Sequence, residues 1–205
     1  MNRREFVAGA ASIGVLAGAG GVVRWGVPTF GTDDPAPDDA ESTADSGSQE
    51  IRTIDARGSE AGTVAVPNDG VTVAMFFVTG CGQCQAQIPR LAEAHDALLE
   101  TSDDAVTVAS ITYQTPETMP EDELREWWAD LGGNWYVGYD ATPSLAASYG
   151  VVGYPATIVV DERGEKRWHE IGVQRSTDIV RAAESALERE SDSSEPDRSS
   201  NGDTD

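Results

Sequence analysis

The stretch Val71-Thr-Val-Ala-Met-Phe-Phe-Val78, followed at once by Thr79-Gly80-Cys81-Gly82-Gln83-Cys84, decides how this chain is read. Its first eight residues are apolar, β-branched or aromatic, which predicts a strand buried on both faces. From Gln85 to Glu100, Ile88, Leu91, Ala92, His95, Leu98 and Leu99 recur at helical spacing, so a helix is expected there. Pro89 falls inside it, where the missing N–H predicts a kink. Cys81 and Cys84 are the only cysteines in 205 residues, and they sit on the turn between the two elements. A helix N-terminus favours negative charge, and the thiolate is the reactive form of cysteine. A Cys-x-x-Cys at this junction therefore points to redox chemistry.

The same pair has other readings. Zinc needs four ligands, yet the only histidines, His95 and His169, are 74 residues apart. An inert pair of buried thiols or a structural disulfide is also open, but a bridge over a two-residue loop constrains the unfolded chain little.

Working outward, Ile51 to Ala56 and Thr63 to Val66 read as short strands, and Pro67-Asn-Asp-Gly70 as the turn into the Val71 strand. Ala105 to Ile111 is a second buried strand. Pro120-Glu-Asp-Glu123 begins a helix carrying Leu124, Trp128 and Leu131, with proline and acids at favoured N-terminal positions and Gly132-Gly133 at its end. Trp135 to Val137 is a short strand and Ser144 to Tyr149 a brief helix. Ala156 to Val160 and Lys166 to Ile171 form a hairpin through Asp161-Glu-Arg-Gly164. Ser176 or Thr177 caps a last helix that reaches about Arg189, with Ile179, Val180, Ala183 and Leu187 inward. This order predicts an α/β sandwich with a central mixed sheet and helices on both faces.

The flanks differ in kind. Residues 1–30 hold Arg3-Arg4, then Phe6 and an Ala- and Gly-rich apolar run to Val23, which resembles a twin-arginine export signal. Phe6 to Val23 is 18 residues, the lower edge of a membrane span, so a retained N-terminal anchor is the alternative to cleavage at Ala17-Gly18-Ala19. Residues 31–50 and 190–205 are polar and acidic with no apolar period, expected as a disordered linker and tail around a 51–189 domain. Net charge is −22, from 14 basic and 36 acidic residues, which argues against nucleic acid or anionic membrane surfaces as partners. Lys166 is the only lysine, and an acidic, lysine-poor surface resembles proteins of salt-loving organisms.

Cys81-x-x-Cys84, Pro89, the segment Val151-Val-Gly-Tyr154-Pro155-Ala-Thr and the Asp161 to Gly164 hairpin together resemble the thioredoxin fold, a three-layer sandwich. Asp140 to Val173 looks more like its TlpA/ResA branch of exported or membrane-anchored thiol–disulfide oxidoreductases. The resemblance implies that Cys81 attacks and Cys84 resolves a mixed disulfide, with Cys81 and Cys84 as the redox-active disulfide. It implies substrate contacts at Gly80, Tyr154 and Pro155, and a cis peptide before Pro155 that sets backbone groups against the cysteines. It implies protein thiol or disulfide substrates, a membrane thiol as electron donor, a monomer outside the cytoplasmic membrane, and no bound cofactor or metal.

The chain departs from that pattern in four places. Gly80 stands where Trp is usual, and Gln83 where Pro is common. Met75 and Gln87 occupy the two positions at which a buried acid is often found, so the Cys84 proton is expected to leave through water or another group. His95 is expected as a core or boundary residue. Trp127, Trp128 and Trp135 are candidates for a peptide groove, with core packing expected for Trp128 at least. A copper-delivery module would need both thiolates and a histidine, with His169 as candidate, although its usual cysteine spacing is three. A peroxiredoxin-type peroxidase gains only slight support from Thr79, which lies two residues before Cys81 rather than three.

Overall fold

The computed structural model describes residues 48–102 and 105–194. Strands β1 (Gln49–Thr53) and β2 (Gly62–Val66) are followed by β3 (Val71–Phe77), helix α1 (Gly82–Ser102) and β4 (Val106–Thr112). Then come α2 (Glu121–Asp130), β5 (Tyr136–Tyr139), α3 (Ser144–Ser148), the hairpin β6 (Ala156–Val160) and β7 (Lys166–Ile171), and α4 (Ser176–Ser194).

The strands make one seven-stranded sheet in the order β2-β1-β5-β4-β3-β6-β7. Strands β3, β4 and β5 run parallel, while β6 lies antiparallel to β3 and β1 antiparallel to β5. This is the α/β architecture expected from the sequence, with its mixed sheet. All seven residues of β3 are buried, as its unbroken apolar run requires of a central strand. Its alternate residues face different layers. Val71, Val73, Met75 and Phe77 meet α1, α2 and α4, whereas Ala74 and Phe76 meet the layer of Leu145 and Ala146 from α3. Gly70 enters β3 at φ +73, and a Cβ there would stand 2.5 Å from the Ala105 carbonyl oxygen, so glycine is demanded twice over.

Several boundaries move. Strand β1 begins at Gln49 because Gln49 pairs with Val66, and it stops at Thr53 rather than Ala56. The strand expected at Trp135 is Tyr136–Tyr139. Helix α4 runs on to Ser194, past Arg189, and its last turns bind the hairpin turn: Glu162 N–H donates to Glu190 Oε1 at 2.8 Å, and Arg163 to Ser193 Oγ at 3.3 Å. In α1, Pro89 lies on the exposed side of one continuous helix. Leu99, expected inward, is 50 % exposed, because the covered stripe passes through Leu91, Ala94 and Leu98 instead.

Among the described residues no helix is long and apolar enough to cross a membrane. The expected signal, most of the linker and the end of the tail lie outside the described residues.

Candidate functional site at the start of α1

Strand β3 delivers the chain to the carboxyl edge of the parallel strands, where α/β sheets collect their sites. There Val78, Thr79 and Gly80 make the turn into α1, closed by Cys81 N–H donating to the Val78 carbonyl at 3.2 Å. Cys81 is half-buried and Cys84 fully buried, and both are free thiols. The Cys84 N–H donates to Cys81 Sγ at 3.2 Å, so the first-turn amide and the positive end of the helix dipole both address that sulfur. The Cys81 thiol in turn donates to the Tyr154 carbonyl at 3.8 Å. The Tyr154–Pro155 peptide is cis, and its segment lies directly beside the Cys81 sulfur.

The two sulfurs have different surroundings. Burial pushes the Cys84 thiol up to about 12, with the hydrogen bond to Cys81 adding to the shift. Cys84 therefore holds its proton until another group, or the reaction itself, takes it away. Tyr154 is half-buried, its hydroxyl raised first by burial and then by the neighbouring Tyr113, and the two rings sit 5.4 Å apart. Gly80 is exposed, and a Cβ on it would meet nothing within 4 Å.

Of the sequence-predicted residues, Cys81, Cys84, Tyr154 and Pro155 come together, with Gly80 on the rim. The tryptophans do not form a groove. Trp128 and Trp135 are buried with ring centroids 4.8 Å apart, and Trp127 stacks on Phe77 at 5.0 Å with planes 3° apart. They are core. His95 packs at 5.5 Å on Trp135, and burial lowers its pKa. Eleven residues of helix, roughly 16 Å at 1.5 Å per residue, separate it from Cys84. His169 pairs with Ile158, whose side chain belongs to the α3 face, so the sheet divides it from Cys84. Among the described residues no three Cys, His, Asp or Glu side chains group to hold a metal. The Thr79 hydroxyl donates to Gln114 at 3.2 Å, a partner other than Cys81.

Sequence reading missed Gln114. Its Oε1 accepts from Thr79 N at 2.9 Å, Thr79 Oγ1 at 3.2 Å and Thr112 Oγ1 at 3.2 Å, while Gln85 Nε2 donates to the Thr79 carbonyl at 3.0 Å. One amide oxygen thus fastens the turn before Cys81 to the end of β4. The available signal was position: Gln114 lies just after a buried parallel strand, on the same edge as the cysteines.

A free dithiol with one accessible and one buried sulfur, set against a cis-proline segment on this sheet, defines an oxidoreductase of the thioredoxin type. The chain belongs to the Redoxin family, whose model matches residues 32–187. Its fold is shared by StoA from Bacillus subtilis, at TM-score 0.55 and 16 % identity over 66 % of this chain and 96 % of that one. It is shared by the exposed lipoprotein thioredoxin Etrx1 of Streptococcus pneumoniae, at 0.53 and 19 % over 68 % and 99 %. A secreted Mycobacterium tuberculosis disulfide oxidoreductase, homologous to E. coli DsbE, matches at 0.52 and 15 % over 67 % and 95 %. Compared by sequence with curated proteins, the chain matches none.

Proposed function

We infer that this protein exchanges thiols and disulfides with client proteins outside the cytoplasmic membrane, as a monomer whose chemistry needs no cofactor. The observation that carries this is the inequality of the two sulfurs. Cys81 is accessible and hydrogen-bonded beside the cis-proline segment, while Cys84 is buried one turn deeper with its proton held.

In the reducing direction the Cys81 thiolate attacks a client disulfide and expels one client thiolate. Cys84 then loses its proton and attacks the Cys81 sulfur, which expels the second client thiolate and leaves a Cys81–Cys84 disulfide. Two electrons have passed to the client, and a thiol donor at the membrane must return them. Gly80 and Tyr154 form the contact surface, on which a client backbone pairs as an added strand, and Pro155, itself buried, holds Tyr154 in place there. The twin arginines and following apolar run serve export or anchoring, residues 31–50 act as a spacer, and the acidic tail and surface suit a high-salt exterior. The secreted and exposed nature of two of the similar proteins supports that location.

Insulin reduction and non-reducing gels test the roles. Cys81→Ser abolishes exchange, and Cys84→Ser traps a client mixed disulfide; undiminished exchange by the Cys81 variant overturns the reading. The potential of the pair gives direction, with a value near about −270 mV marking a reductase and one near about −120 mV an oxidase.

A further inference from the structure

Two fully buried side chains on the cysteine side of the sheet each carry a polar atom with no partner: Nε2 of Gln87 and Oγ1 of Thr157. The other three such atoms belong to His95, Trp127 and His169, none of which is fully buried. Orphaned polar atoms in a closed apolar layer are costly, and each calls for a partner.

Their placement is well defined. Gln87 follows Cys84 by three residues on α1, so the two share a helix face. Thr157 lies directly opposite Met75 in the antiparallel β3–β6 pair, and opposed residues point to the same face. Met75 belongs to the same buried cluster as Cys84 and Ile88 of α1 and Ile179 of α4, which places Thr157 in the layer between the sheet and these two helices. The loop after β7 ties α1 to the residue two before Thr157. Gly172 N–H donates to the Pro155 carbonyl at 2.8 Å, and Gln174 N–H donates to Gln87 Oε1 at 2.6 Å. That second bond also orients the amide, because turning it over would set an NH2 group against an N–H. The Gln87 NH2 group is therefore the one left facing the layer.

We propose that Gln87 and Thr157 together hold one buried water beneath Cys84, and that this water takes the Cys84 proton during the resolving step. The inference rests on the exchange reading above. An amide donor, an amphoteric hydroxyl and the thiol supply the two to four polar partners that a buried water requires. Neither Gln87 nor Thr157 can hold a proton as a carboxylate would, so their part is positioning. In the step itself, Cys84 Sγ bonds to the Cys81 sulfur as the Cys81–client S–S bond breaks. The thiol proton passes to the water and on to solvent, the client sulfur leaves as thiolate, and Cys84 is oxidised while that client sulfur is reduced.

Breakdown of a Cys81–peptide mixed disulfide, followed by rapid mixing, tests this against the rate at which the mixed disulfide forms. Thr157→Val and Gln87→Leu each slow breakdown about ten-fold, a modest share of what positioned proton transfer supplies. The double variant is no slower than either single one, since both residues serve one water. Thr157→Ser, which keeps the hydroxyl, restores breakdown to within about two-fold of the parent rate, and formation, made by Cys81, changes by less than that in all variants. Unaltered breakdown in both single variants, additive losses, or an equal loss in formation overturns the buried-water assignment. A parent protein that forms no mixed disulfide at all overturns the exchange reading instead.

Discussion

The turn that carries the cysteines and the aromatic layer that begins one residue before it are held by different forces. From Val78 to Gln83 the chain is exposed or only partly buried and is tied by hydrogen bonds to residues far away in sequence, at Gln114 and Tyr154. From Phe77 inward the forces are ring contacts: Phe77 on Trp127, Trp127 on Trp128, and Trp128 edge-on to Trp135. Burial of large apolar area sets stability, whereas directional bonds set where a sulfur sits. The packed frame thus gives way to the hydrogen-bonded turn within one peptide unit, between Phe77 and Val78, and Cys84 returns the chain to the core.

The largest effect expected from this comparison is on the frame. Trp128 is fully buried, its indole N–H donates to the Arg57 carbonyl at 3.1 Å, and Gly133 packs so closely that a Cβ there would stand 2.1 Å from the ring. Trp128→Ala is expected to cost about 3–5 kcal/mol in guanidinium unfolding. The fraction that stays folded exchanges disulfides at close to the parent rate. Loss of exchange without loss of stability would break the separation.

How much of this was legible before the structure follows the same line. The buried strand Val71–Phe77, the helix after it and the Asp161 to Gly164 turn each announce themselves locally, by an unbroken apolar run, a helical period and turn chemistry. The cysteines were legible for the same reason, since strand, turn and pair are contiguous. Gln114 was not, because its work is tertiary: a glutamine after a strand has no local mark that its oxygen will accept three hydrogen bonds. The tryptophans misled in the opposite sense, since an aromatic near a site reads equally as groove or core until the layer behind it is known. Helix α4 outran its apolar period because Glu190 and Ser193 hold the hairpin turn through polar contacts that periodicity does not register.

The next effect lies on the boundary between frame and chemistry, at Cys84. Its thiol pKa is raised by burial from 9.0 to about 12. Above pH 9 the unfolded chain gives up this proton while the folded protein keeps it. The stabilisation from this group is therefore whole below pH 9 and is lost progressively as pH rises toward 12. Reduced parent protein is expected to lose unfolding free energy more steeply than Cys84→Ala between about pH 9 and about pH 11. Tyr139, whose hydroxyl is also raised to about 12 by burial, titrates in the same window but is common to both proteins and cancels in the difference. Parallel curves would show that the folded interior does not hold the proton.

The smallest effect on the frame is expected at Gly80, and it sharpens the comparison most. The turn is fastened on either side of this residue, by Thr79 N–H to Gln114 and by Cys81 N–H to the Val78 carbonyl. Gly80 itself is exposed, and a Cβ there meets open space. Gly80→Trp should therefore change stability by no more than about 0.5 kcal/mol, as for a surface site away from any special contact. The added ring stands beside the Cys81 sulfur, and under the proposed function its effect is expected on client choice. KM for a protein disulfide shifts, while the rate with a small-molecule disulfide stays close to the parent's. A destabilisation above about 1 kcal/mol would mean that packing at position 80 helps to hold the turn. Hydrogen bonds alone would then not account for where Cys81 sits.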